Sequence, residues 1–201
     1  MNIDKMIDYI KISNGNGKMQ DIKSINTNTI TNNYCMTKCT FKGKCYSKKH
    51  IKRFTNNSTA WQLNSDKLSQ SIIDYDLLPK FYNTNFVRFH SHGELINDIH
   101  LINFMNICNK NEDVTFTLWS KRHDIIKKHF KNHEKPKNLI LIFSNSKFND
   151  PMDKIPLHFD KTFNVINKDS NIKANCGGKC KDCMICYTIG SKETQIIEVI
   201  K

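Results

Sequence analysis

Long apolar runs are missing from this 201-residue chain: the longest, Leu139 to Phe143, is far short of the ~20 residues a membrane-spanning helix requires. No charged stretch leading into an apolar core marks a secretory leader near Met1, so the chain reads as cytoplasmic, with no membrane partner. Arginine is scarce. Only Arg53, Arg88 and Arg122 stand among 31 basic residues, although guanidinium is the group that reads phosphate bidentately. The formal net charge of +12 admits nucleic acid as a partner, but no aromatic-interleaved basic motif or recognition helix supports it. Glycine is also sparse, with seven in all. Gly15 and Gly17 are followed by no third glycine, which excludes a dinucleotide fingerprint.

What the chain does have is cysteine in two tight groups. Cys35, Cys39 and Cys45 form one; Cys176, Cys180, Cys183 and Cys186 form the other, with only Cys108 between them, inside a helical pattern where burial is expected. A secreted disulfide framework would spread its cysteines through a small loop-rich domain, so reduced thiols are expected here. Several thiolates at short spacing indicate a metal or iron–sulfur site. The first group offers three thiolates, and His50 is the only nearby fourth ligand for zinc. Three cysteines on one loop also suit a 4Fe-4S cluster with one open iron, able to bind S-adenosylmethionine or another small molecule. The second group can wrap its own cluster, making two in all, or send Cys186 across to close the first. A four-cysteine zinc knuckle is the remaining reading. The lysines and Arg53 around the first group favour an anionic centre.

Between the groups the pattern is α/β. Apolar residues predict a helix over 66–78, ended by Pro79, then a strand over 86–89, a helix over 95–107 and a strand over 114–119. A helix over 122–132 and strands over 139–143 and 162–166 follow. Such alternation implies βαβ units and a parallel sheet, too few for eight repeats, hence an incomplete or distorted (βα) barrel. We read one domain over 1–201: a cysteine loop at 30–53, a βα core at 84–168 and a cysteine segment at 174–189. An apolar stretch from Ile7 to Ile12 precedes a Gly/Asn turn. Working residues are expected at strand carboxyl ends, in His90-Ser-His92-Gly93-Glu94 and Ser120-Lys121-Arg122. His90 and His92 alternate, so only one can face the site. His100, His123, His129, His133 and His158 read as surface or boundary residues, and Phe89 and Trp119 as core.

Gly93-Glu94 after a strand resembles the end of the Gly-Gly-Glu segment that receives the cofactor's amino group in radical-SAM barrels. The resemblance implies that Gly93 and Glu94 contact a cofactor, and His90, His92 and Lys121, at the strand carboxyl ends, are expected to contact it with them. The usual radical-SAM loop is Cys-x3-Cys-x2-Cys, whereas the second gap here is wider. Taken in order, Gly15-Asn16-Gly17-Lys18, Cys35…Cys39…Cys45-Tyr46, Phe86-Val-Arg88-Phe89-His90, Phe116-Thr-Leu-Trp119-Ser120-Lys121 and Cys186-Tyr187 resemble a phage-associated family called gene product 88. That family shows Ser-Gly-Asp where this chain has His92-Gly93-Glu94. The resemblance implies an iron–sulfur protein with a radical-SAM-like barrel, working in the host cytoplasm on an unidentified small molecule.

Overall fold

The computed structural model describes residues 10–200. It holds seven strands: β1 (Ile12–Asn14), β2 (Lys23–Ile25), β3 (Phe86–Phe89), β4 (Thr115–Ser120), β5 (Leu139–Phe148), β6 (Lys161–Ile166) and β7 (Gln195–Val199). They form one sheet in chain order. β1 pairs antiparallel with β2, and every later pair is parallel. Six helices accompany them: α1 (Asn33–Thr37), α2 (Tyr46–Arg53), α3 (Thr55–Gln70), α4 (Asp98–Lys110), α5 (His123–Phe130) and α6 (Cys180–Cys183). The βα alternation read from the sequence is therefore present in a mixed α/β fold with a mostly parallel sheet.

Strand alternation divides the core in two. On one face Val87, Phe89, Phe116, Leu118 and Leu141 meet Leu68 of α3, Phe104 of α4 and Ile126 of α5. Phe89 stacks on Phe104 with centroids 4.0 Å apart, so its reading as core holds. On the other face Trp119, Ile140, Ile142, Phe163 and Ile196 pack against Cys176, Ile185 and Cys186. Helices thus cover one face and the C-terminal cysteine segment the other. β1 and β7 are the sheet's edges and do not pair with each other. Lys18, just after β1, reaches Glu198 of β7 in an ion pair that spans them.

Several elements differ from expectation. The helix predicted over 66–78 is α3, which starts at Thr55 and stops at Gln70; a 3-10 turn at Tyr75–Leu77 replaces its second half. Asn103 of α4 explains the early stop. Its amide donates to the Leu68 and Ser71 carbonyls, and its oxygen accepts from the Ile73 N–H. These contacts satisfy the last carbonyls of α3 from outside the helix, so the chain can leave it without burying unpaired groups. β5 runs five residues past its predicted end. Strands β1, β2 and β7 were not expected as strands, and residues 7–9 of the predicted apolar stretch lie outside the described residues. His100 is a correction: it is wholly buried, packed at a tilt against Phe104, with its Nδ1 accepting from the Ile96 N–H.

Candidate functional site

A cavity of about 1350 Å3 opens over the sheet face that carries Trp119 and Phe163, the inner face from here on, and residues of all seven strands line it. Cys35, Cys39 and Cys45 lie together on its wall, brought there by the segment after β2. Asn32 caps α1 by accepting from the Cys35 N–H, while its amide donates to the Glu94 carbonyl at 2.9 Å. That one side chain ties the cysteine loop to the end of β3. Thr40 donates to the Ser146 carbonyl and Tyr46 to that of Ser91, which fix the loop's far side. Burial, reinforced by Glu94, Cys39 and Cys45, raises the Cys35 thiol well above its ordinary value; Lys121 opposes the shift.

Lys121 stands beside this group. Its ammonium donates to Ser144 Oγ at 2.5 Å and lies over the Phe41 ring. Burial lowers its pKa, opposed by the negative charge of Glu94 and of the three cysteines. Glu94 is buried, and its carboxylate already accepts from three protein donors: Leu95 N–H at 2.9 Å, Ser120 Oγ at 2.6 Å and Lys121 N–H at 2.8 Å. Gly93 is required for packing. Its φ is +103°, and a Cβ there would stand 2.1 Å from Thr27 Oγ1 and 2.7 Å from the Thr27 carbonyl oxygen.

His90 and His92 both reach the cavity lining, with their rings in different surroundings. The ring of His90 packs on His100 and Phe104, toward the helices. His92 stacks on Trp61 at 4.4 Å and touches His50 and Tyr46, making an aromatic wall of the cavity. Burial lowers both pKa values to about 3, so both rings are neutral near pH 7. No local pattern marks Trp61, a single aromatic on a polar helix whose place depends on where α3 meets β3.

The second group is separate. Cys176, Cys180, Cys183 and Cys186 surround a gap of about 10 Å3 roofed by Trp119, Phe163 and Tyr187. Cys186 lines the same gap as Cys176, Cys180 and Cys183; its thiol is pushed up to about 12 by burial, opposed by Arg88. Of the two arrangements the sequence left open, the fold places Cys186 with its own neighbours. Buried Lys161 clamps the segment by donating to the Ile185 and Thr188 carbonyls. Cys108 is buried in the helical core. All eight cysteines are free. Among the described residues no group of three or more His, Cys, Asp or Glu side chains is placed to hold a single metal ion.

A family model described as Gene product 88 matches residues 10–188. The chain belongs to the gene product 88 family. The match takes in both cysteine groups, the Gly93-Glu94 turn and the strands β1 to β6, and stops before β7. No curated protein and no solved structure matches the chain. Among the described residues no helix is long and apolar enough to cross a membrane.

Proposed function

We propose that this member of the gene product 88 family is an iron–sulfur protein whose reactive centre is held by Cys35, Cys39 and Cys45, with one iron left free of cysteine and facing the cavity. One observation carries the reading: the three-cysteine group, and not the four-cysteine one, lines the 1350 Å3 cavity with the Lys121 ammonium beside it. Two thiolates on one zinc stand no more than about 4.6 Å apart, twice the ~2.3 Å bond. That these cysteines form no single-ion site is therefore compatible with a larger unit, each thiolate on its own iron. A 4Fe-4S cluster there would supply one-electron chemistry and, with S-adenosylmethionine on the open iron, radical initiation.

The chain's own residues have distinct parts in this reading. Lys121 offsets the thiolates' charge from a fixed position on Ser144. Asn32 holds the loop in register with the strand ends. Glu94 braces the ends of β3 and β4 through its three donors, and this occupation favours a bracing role over capture of a cofactor's ammonium. Cys176, Cys180, Cys183 and Cys186 form a separate clasp over the sheet around a small gap of their own, and like the first group they form no single-ion site.

Anaerobic purification with iron and sulfide quantitation tests the proposal, which expects about four of each per chain. Zinc without sulfide would end it. A reduced cluster whose paramagnetic resonance spectrum ignores saturating S-adenosylmethionine would retain the centre and remove that ligand.

A further inference from the structure

The cavity's charge does not balance. Its only carboxylates among the described residues are Glu94, committed to three donors, and Glu198, paired with Lys18. Against them stand Lys11, Lys42, Lys44 and Lys49 at the mouth and Arg88 deeper in, none of them in an ion pair among the described residues. Arg88 is the anomaly. On β3 it points to the inner face, only 9 % exposed, with its guanidinium 3.8 Å above the Trp119 ring. Its Nη1 donates to the Met19 sulfur and its Nε has no partner, while the Cys180 and Cys186 thiols and the Tyr187 hydroxyl lie near enough to feel its charge. A buried cation with no carboxylate paired to it is costly, and folded proteins normally supply one. Other buried ring nitrogens among the cavity's lining residues also lack a hydrogen-bond partner, Trp119 Nε1 and His92 Nδ1 among them.

We propose that the cavity binds a small molecule bearing an oxyanion, phosphate or carboxylate, seated on Arg88, with a planar ring against the Trp61–His92 wall. The fork of the guanidinium matches two oxygens of either group, and stacking on Trp119 holds it in place. Trp61 is itself buried between His50 and His92, so the ring meets this wall at the part-buried His92. Ligand pockets commonly enclose ~300–1000 Å3, so this cavity holds such a molecule with room beside the first cysteine group. The inference rests on the cavity and its cations. It adds a substrate class to the proposed function without depending on the metal.

Titration calorimetry on the protein as purified, with iron and sulfide measured on the same sample, tests it with two pairs of probes that share a ring and differ in charge. AMP is compared with adenosine, and nicotinate with nicotinamide. In at least one pair the charged member should bind about tenfold tighter or more, the value of one charge-assisted hydrogen bond. A preference in the first pair assigns phosphate, and one in the second assigns carboxylate. Arg88→Met should abolish the preference, and Arg88→Lys, which keeps the charge and loses the fork, should leave a part of it. Trp119→Phe, which removes the indole N–H and keeps a stacking ring, should weaken the charged probe a few-fold and serves if Arg88→Met does not fold. Neutral probes binding as well as charged ones, no binding of either charged probe at millimolar concentration, or a preference untouched by these variants would overturn the proposal. An absence of iron and sulfide would sink the metal reading alone and leave this test standing.

Discussion

At the carboxyl end of β3, His90, His92, Gly93 and Glu94 each have a separate physical task, although in sequence they look like one motif. Gly93 makes room for Thr27, so Gly93→Ala adds a clash to a backbone conformation that alanine avoids. It should cost on the order of 2–3 kcal/mol in urea unfolding, and a loss under ~0.5 kcal/mol would show that the turn can shift. Glu94→Gln separates bracing from ligand contact. The amide nitrogen cannot accept, so one of the donors from Leu95, Ser120 or Lys121 loses its partner, at a cost of about 1–3 kcal/mol. Unchanged stability, measured the same way, would return Glu94 to a ligand-facing role.

Elements in this protein are joined by long-range polar contacts as much as by apolar packing. Asn103 ends α3 from α4, and Asn32 links the first cysteine loop to β3. The cysteine segment over the inner face depends similarly on Lys161, whose ammonium holds two carbonyls of the turn containing Cys186. Lys161→Met keeps the side chain's apolar length and removes both donors. Limited proteolysis should then cut within residues 174–189 faster than in the wild type while the βα core stays intact. Equal cutting rates would show that Trp119 and Phe163 hold the segment without help. Where the proposed clasp binds metal, the variant should also lose it more readily to chelators, because ligand geometry and local order are coupled.

For the whole molecule, buried histidines set the response to acid. His90 and His92 refuse protons down to a pKa of about 3, and burial lowers His100 as well, whereas in the unfolded chain each titrates near 6.5. Between those values the unfolded state binds more protons, so stability is full above about pH 6.5 and falls as pH drops. Each such histidine should cost about 1.4 kcal/mol by pH 5.5. Glu94, raised by burial, has the opposite sign: it favours the fold toward acid, in the range above the ordinary carboxylate value. Urea unfolding at pH 7.0 and 5.5 checks the sum, and stability that is level or greater at 5.5 would contradict it. The sequence alone determined the βα alternation, both cysteine groups and the strand-end residues, because helical and strand periods and short ligand spacings are local signals. β1 and β2, each three residues long, carry too little pattern to be seen. Tertiary structure decided which face each group of cysteines occupies, the early end of α3, the meeting of Trp61 with His92, and the burial of Arg88 without a paired carboxylate. All of these depend on contacts between residues far apart in the chain, and no local period encodes whether a buried charge finds its partner.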